Sequence, residues 1–126
     1  MIYKIYIKSK NCVFMYGEDN IYFSVLKICS NKLKSIWDPR QMNDRSNETW
    51  YVNKYNKTEE CFLKSSLYPV PMPIIGGIHD YGTDSRIMRF NDGITRVHWL
   101  IDHEAHYFPL LCPKEFISEL SSLAGM

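Results

Sequence analysis

Three prolines at alternate positions, Pro69, Pro71 and Pro73, constrain the fold of this chain more than any other feature of its sequence. Proline fixes its own φ angle, lacks an N–H donor and keeps the residue before it extended. A helix is therefore excluded here, and a central strand is disfavoured because its ladder would lose donors. We predict that residues 68–77 follow an edge-strand or polyproline-like path, suited to crossing the mouth of a pocket, with a bend at Gly76-Gly77.

Strand and helix signals in the first half of the chain indicate an α+β protein. Residues 2–8 and 12–16 are rich in β-branched and aromatic residues and predict two strands. Apolar residues at roughly helical spacing predict one or two short helices between residues 21 and 37. Residues 39–59 are the most polar stretch and predict a surface excursion with an aromatic patch. The patch consists of Trp50, Tyr51 and Tyr55.

The second half of the chain continues the same mixture of elements. Residues 86–90 and 107–112 predict strands, and Pro113-Lys114-Glu115 predicts the start of a terminal helix through about Leu123. We therefore expect an α+β domain, residues 1–126, in which helices flank a small mixed sheet. A length of 126 residues fits one domain, and 45% hydrophobic residues suffice for a core.

Charge and cysteine usage limit the classes of function. The net charge is +1, without the basic excess typical of a protein devoted to nucleic acid, so DNA binding has no support from composition. The four cysteines show no CxxC spacing, which predicts free thiols in a reducing cytoplasm. No secretory signal or apolar run of about 20 residues is present, so we expect a cytoplasmic protein without membrane insertion.

The turn Asn91-Asp92-Gly93 and the element after it form the first candidate site. As a helix, residues 94–104 place Ile94, Val97 and Ile101 on one side. As a strand they alternate equally well, and Asp-Gly is a strong hairpin signal. The pattern alone leaves both readings open. The choice matters because a helix would direct its free N–H groups at whatever lies beside the turn.

Arg96 would lie in the first turn of such a helix, where the helix dipole disfavours a cation by roughly 0.3–1 kcal/mol. A neighbouring anion would reverse that. One reading is an internal Asp92–Arg96 ion pair that stabilises the turn. The other is a bound phosphate, carboxylate or nucleotide, which Gly93 would let the backbone approach closely. The anion-binding candidates are Asp92, Gly93, Thr95 and Arg96.

Two further groups of residues carry weaker signals. Three histidines lie close to two acidic residues, but the spacing matches no zinc motif. These residues are His98, Asp102, His103, Glu104 and His106. We expect exposed or capping histidines near a helix C-terminus and no metal.

Cys112 follows a predicted strand and is expected in the core. The sequence contains no nucleophile motif, no P-loop and no dinucleotide-binding motif. No catalytic residue is therefore assigned.

One resemblance is carried by residues 70–112, which include the proline segment. Its most specific residues are Phe90, Asp92-Gly93, Thr95-Arg96, Trp99-Leu100, Glu104-Ala105 and Phe108-Pro109-Leu110. A strand ending in an aromatic residue, a glycine turn, an early helical arginine and a proline-led strand resemble the ParB/sulfiredoxin-like fold. Within that superfamily the chain is similar to the plasmid fertility-inhibition factors, small bacterial proteins that block conjugative transfer of another plasmid.

The resemblance implies that residues 94–104 are helical and that Gly93 and Arg96 sit at a phosphate-binding pocket. Sulfiredoxins carry a catalytic cysteine just before a His-Arg pair, whereas Ile94-Thr95-Arg96 stand there in this chain. Sulfinic acid reduction is therefore not implied. The further phosphate-binding and catalytic motifs of ParB-type nucleotide hydrolases have no match, so catalysis at this turn has no support from a motif.

The expected function is thus inhibition of plasmid fertility. The protein would bind the conjugation apparatus, for example its coupling ATPase, or the DNA that the apparatus transfers. One alternative is a nucleotide-dependent nuclease or ATPase with Asp92 and Arg96 at its site. Another is a small immunity or anti-defence protein whose fold only binds a partner.

Overall fold

A computed structural model of the chain describes residues 1–43, 45, 49–80 and 86–126. The strands are β1 (Ile2–Tyr6), β2 (Cys12–Tyr16), β3 (Phe23–Cys29), β4 (Val70–Pro71), β5 (Ile74–Asp80), β6 (Arg86–Asp92) and β7 (Tyr107–Pro113). The α-helices are α1 (Ser30–Ile36), α2 (Pro39–Met42), α3 (Thr49–Leu63), α4 (Ile94–Asp102) and α5 (Ile117–Ala124). Short 3-10 turns occur at Lys8–Lys10 and Lys114–Phe116.

The strands of the described residues form two small mixed sheets, which confirms the α+β class. The first sheet has the order β1-β2-β4, with β1 antiparallel and β4 parallel to β2. The second has the order β3-β7-β5-β6, with β5 parallel to β7 and the other pairs antiparallel. Strands β1, β2 and β7 and helix α5 match the predicted elements closely.

The proline segment lies where the two sheets meet. Val70–Pro71 forms the edge strand β4, as the alternate prolines predict, and the Met72 N–H donates to the Tyr16 carbonyl over 3.0 Å. One residue later the Pro73 carbonyl accepts a hydrogen bond from Leu111 N–H at 2.9 Å. The extended segment therefore joins the first sheet to the second. The predicted bend at Gly76-Gly77 lies inside β5, where the register against β6 shifts.

The prediction of helices across residues 21–37 is wrong in its first half. Phe23–Cys29 is the strand β3, paired with β7 from Phe23↔Pro113 to Cys29↔Tyr107, and only Ser30–Ile36 is helical. The apolar residues of β3 fit both periods, and pairing with β7 decides between them. Tertiary context commonly overrides local preference in this way.

The polar stretch 39–59 is more ordered than a surface excursion. It contains α2 and most of α3, while residues 44 and 46–48 lie outside the described residues. Phe62 is the buried residue of α3, so this helix does lie on the surface. Its segment contains neither glycine nor proline, and that absence is the signal that would have predicted a helix.

The core is built from residues of both sheets and of α1, α3, α4 and α5. Its largest fully buried side chains include Trp37, Trp99, Phe62, Phe108 and Met88. Within the part of the chain that the structure describes, no helix is long and apolar enough to cross a membrane.

Candidate functional site

The turn after β6 is a strand–glycine–helix junction. β6 ends at Asp92, Gly93 adopts the left-handed conformation with φ 90° and ψ 20°, and α4 begins at Ile94. The helical reading of the residues after Gly93 is therefore confirmed, and the helix ends at Asp102. A left-handed residue at this N-cap favours glycine, because other side chains meet their own backbone there.

Arg96 joins this turn to the proline segment. Its Nη1 donates to the Pro71 and Met72 carbonyls over 3.2 and 3.3 Å, and its Nη2 lies 3.4 Å from Asp92 Oδ2. The Asp92–Arg96 ion pair, one of the two readings of the sequence, is thus present, and two backbone carbonyls share the same guanidinium. These acceptors offset the unfavourable placement of a cation in the first helical turn.

The structure separates the four candidate residues into two groups. Asp92 has an exposed side chain (60%), and the Arg96 side chain remains 22% exposed. Thr95 points into the interior and is only 5% exposed, so its hydroxyl is removed from the surface where Arg96 lies. The turn therefore brings Asp92, Gly93 and Arg96 together at the surface without Thr95.

Helix α3 packs against α4 along one polar and aromatic stripe. Its members recur at intervals of four and three residues and face α4. The contacts are Tyr51 Oη with His98 Nδ1 (2.6 Å), Tyr55 Oη with Asp102 (2.8 Å), Trp99 Nε1 with Glu59 (3.1 Å) and the stacked rings of Phe62 and Trp99 (4.3 Å). The predicted aromatic patch is therefore present, because the Tyr51 ring lies 6.0 Å from that of Trp50 and 6.4 Å from that of Tyr55. Tyr51 and Tyr55 also contact α4, while Trp50 stays 60% exposed.

A second face of α3 carries lysines and borders Arg96. Together with the proline segment it encloses an open groove of about 510 Å³, which we call the basic groove. The groove is lined by Lys54, Lys57, Thr58, Cys61, Lys64, Tyr68, Pro69, Val70, Pro71 and Arg96. The lysines were missed in the sequence because their stretch was not recognised as helical. Positions 54, 57, 61 and 64 recur every three or four residues, which places them on one helical face.

The basic groove gathers cationic residues although the whole chain is nearly neutral. Three lysines and Arg96 line it, and its lining contains no carboxylate. Asp92 is held on Arg96 Nη2 and does not belong to that lining. Cations gathered in a concave surface raise the local concentration of anions. Lysine ammonium groups suit phosphate as point charges, and arginine suits it as a planar donor.

The histidines do not behave as one group. His98 was expected to be exposed or capping, and this is wrong, because it is 0% exposed. His103 is the C-cap residue of α4, with Nδ1 2.8 Å from the Trp99 carbonyl, as predicted. Within the described ranges no three His, Cys, Asp or Glu side chains converge in a way that could hold a metal ion.

Burial of His98 predicts acid sensitivity. Desolvation lowers the pKa of His98 below its ordinary value of 6.5, so the unfolded chain binds this proton more readily than the folded one. The stability contribution is complete above pH 6.5 and is lost as the pH falls from there toward the folded pKa. We expect the free energy of unfolding to fall by at most about 1.4 kcal/mol per pH unit from this proton.

Urea unfolding at several pH values measures this effect, with His98→Gln as the comparison. The glutamine is polar and similar in size but does not titrate. Equal pH dependence in both proteins between pH 7 and 5 would show that His98 is not responsible.

Cys112 lies in the core, as predicted, although it lies within β7 and not after it. It is 0% exposed, and desolvation raises the pKa of its thiol to about 12. A thiol with that pKa stays protonated near neutral pH and is a poor nucleophile.

Comparison with known proteins identifies the class. Residues 25–125 match the family model described as plasmid fertility inhibition factor. This match covers most of the chain, so the protein belongs to the plasmid fertility inhibition factor family. No curated protein sequence matches the chain.

One solved structure similar to this chain is a crystal structure of the oncogenic suppression activity protein, a plasmid fertility inhibition factor, as its gold(I) cyanide derivative. The TM-score is 0.74 and the sequence identity 20%, and the match covers 99% of this chain and 69% of the other. At that identity the likeness concerns the fold.

Proposed function

We propose that this family member blocks conjugative transfer of another plasmid by binding the transferred DNA in the basic groove. The observation that supports this most directly is a concave surface with Lys54, Lys57, Lys64 and Arg96 and no carboxylate in its lining. We place this action in the cytoplasm of the donor cell, where the DNA is prepared for transfer.

The phosphate backbone is the anion that best fits such a surface. Lys57 and Lys64 are exposed and lie about two helical turns apart on the groove side of α3 and the turn after it. Flexible ammonium groups at that spacing can contact successive phosphates without reading bases. The net charge is only +1, and charges more than about 10 Å apart are screened from each other at ordinary salt. We therefore expect attraction of DNA to be confined to the groove.

The same proposal includes the finer assignment of fold and site. We infer a ParB/sulfiredoxin-like fold, in which Gly93 and Arg96 border a phosphate-binding pocket. The remaining guanidinium donors of Arg96 are available to a phosphate at the end of the groove, since the hydrogen bonds it makes leave part of its five-donor fork unused. A nucleotide triphosphate would use the same cations, and competition between nucleotide and DNA tests that point.

DNA binding by the purified protein at several salt concentrations tests the groove. We expect the double variant Lys57→Gln/Lys64→Gln to bind more weakly. Its slope of log affinity against log salt should be smaller by about 2, roughly one unit for each lost phosphate contact. The matched control is Lys34→Gln/Lys114→Gln, which changes the net charge equally at exposed positions outside the groove.

Conjugation frequencies from donor cells that express each variant test the function. The groove variant should lose inhibition while the control retains it. If both inhibit transfer equally, DNA in the basic groove is the wrong mechanism. We would then expect the ligand to be a protein of the transfer apparatus, and the coupling ATPase would be the first to test. Turnover of ATP or DNA in the same samples would favour the nucleotide-dependent enzyme instead.

A further inference from the structure

Among the residues that the structure describes, no strand pairs with the outer edge of strand β1. It is the outer strand of the sheet β1-β2-β4, and its hydrogen bonds to the neighbouring strand alternate. The Met1 carbonyl accepts from Gly17 N–H at 3.2 Å, and Ile7 N–H donates to the Asn11 carbonyl at 3.0 Å. Met1 and Ile7 are odd-numbered, so the odd-numbered residues along β1 direct their N–H and C=O groups toward β2. The even-numbered residues Ile2, Lys4 and Tyr6 consequently turn theirs away.

On the outer side of β2, the outward-facing backbone groups have hydrogen-bond partners. There the Phe14 N–H donates to Ser65 Oγ at 2.9 Å, and the Tyr16 carbonyl accepts from Met72 N–H. In the described part of the chain, no residue forms such a hydrogen bond with the outward-facing N–H and C=O groups of Ile2, Lys4 and Tyr6. Strand edges with unpaired N–H and C=O groups are templates for another strand.

A groove of about 290 Å³ lies along this edge, between β1 and β7, and we call it the β1 groove. Its floor is apolar, its walls carry tyrosine rings and cations, and no acidic side chain belongs to the lining. The lining is Tyr3, Lys4, Ile5, Tyr6, Lys27, His106, Tyr107, Phe108, Pro109 and Met126. Tyr6 is 66% and Tyr107 49% exposed, so both rings are open to a ligand.

We propose that the β1 groove binds an extended, acidic peptide strand of a partner protein, paired to the outer edge of β1. Strand addition gives affinity through backbone hydrogen bonds, and pockets for alternate side chains give specificity. Side chains opposite Ile5 would enter the apolar groove, and those opposite Lys4 would face its ammonium group. The ligand is therefore a segment in which apolar residues alternate with Asp or Glu.

A nucleic acid fits this edge less well, although the lining is also cationic and aromatic. It has no row of amide N–H and C=O groups to match those of Lys4 and Tyr6. The β1 groove shares no lining residue with the basic groove, so this proposal goes beyond DNA binding and can fail or succeed independently of it.

Selection from a random peptide library displayed on phage tests the proposal, with the full chain as the target and its Lys4→Glu variant as the counter-target. Lys4 is exposed on the edge strand, so that variant should fold. We expect enriched peptides with alternating apolar and acidic residues, and about tenfold weaker binding to Lys4→Glu and to Lys27→Glu. Failure to enrich any peptide on the natural chain over the variant overturns the proposal.

The selected peptide, made with and without N-methyl groups on alternate amides, tests the pairing itself. Methylation of the amides that face β1 should weaken binding about tenfold or more, and the unmodified peptide should protect the Lys4 and Tyr6 amides from hydrogen exchange. Lys57→Gln/Lys64→Gln should bind it normally. Equal binding of the methylated peptide, or its displacement by an oligonucleotide from the natural chain, overturns strand addition.

Discussion

Replacing Gly93 with alanine is expected to lower the free energy of unfolding by about 3–5 kcal/mol, from backbone strain and overpacking together. Gly93 has φ 90°, a conformation that costs other residues energy. A Cβ at this position would lie 2.7 Å from Pro73 Cβ and 2.8 Å from Pro73 Cα, and 3.0 Å from Arg96 Nη1. The first two contacts involve a rigid ring and backbone, so relief requires β6 and the proline segment to separate.

Urea unfolding followed by tryptophan fluorescence measures this loss. Gly76→Ala is the matched control, because its new Cβ would meet its nearest neighbour at an ordinary 3.4 Å and Gly76 is exposed in β5. We expect that control to change stability by less than about 1 kcal/mol. Gly93→Asn separates the two causes, since asparagine tolerates the left-handed region but retains the Cβ. If it proves nearly neutral, strain and not the contact with Pro73 is the main cost.

The same variant connects stability with the site. Arg96 reaches the Pro71 and Met72 carbonyls only because Gly93 lets Pro73 lie against the turn. Separation of these segments would move Arg96 away from the lysines of α3. At a temperature where Gly93→Ala is still folded, we therefore expect weaker DNA binding than in Gly76→Ala.

Replacing Gln41 with alanine is expected to cost about 3 kcal/mol, because buried polar groups without partners cost about 1–3 kcal/mol each. Gln41 is 9% exposed. Its side-chain amide forms hydrogen bonds with the backbone at the outer edge of β6, as a neighbouring strand would. Its Oε1 accepts from Phe90 N–H at 2.8 Å and from Trp37 Nε1 at 3.2 Å, and its Nε2 donates to the Phe90 carbonyl at 3.0 Å. Alanine removes all three partners at once.

Gln41→Met distinguishes lost hydrogen bonds from lost volume. Methionine fills similar space without donors or strong acceptors, so it should be almost as destabilising as alanine in urea unfolding. A methionine variant as stable as the natural protein would show that packing, and not the amide pairing with Phe90, accounts for the effect. Trp37 fluorescence reports on the same site, because its Nε1 loses its acceptor in both variants.

How much of the fold was predictable depended on whether an element's signal was local. The prolines at 69, 71 and 73 predicted an extended edge segment, because each one restricts its own backbone whatever surrounds it. β3 was predicted as helix, because its apolar residues fit both periods and only the partner β7 distinguishes them. α3 was predicted as a surface excursion because its polarity hid the face that contacts α4.

The candidate site divides in the same way. Asp92, Gly93 and Arg96 were visible in the sequence, since the glycine turn and the i,i+4 spacing are local features. Thr95 was grouped with them by adjacency, yet it points inward because successive helical residues lie about 100° apart. The lysines of the basic groove lie more than thirty residues before Arg96 and meet it only through the packing of α3 on α4.

By itself, then, the sequence predicted the extended proline segment and the glycine turn, and gave the ion pair within that turn as one of two readings. Each arises from the steric limits of one residue or from neighbours within one helical turn. The tertiary structure alone decided that β3 is a strand, that His98 is buried and that lysines gather beside Arg96. These features depend on contacts between residues distant in the chain. A local sequence pattern does not predict the energies of such contacts.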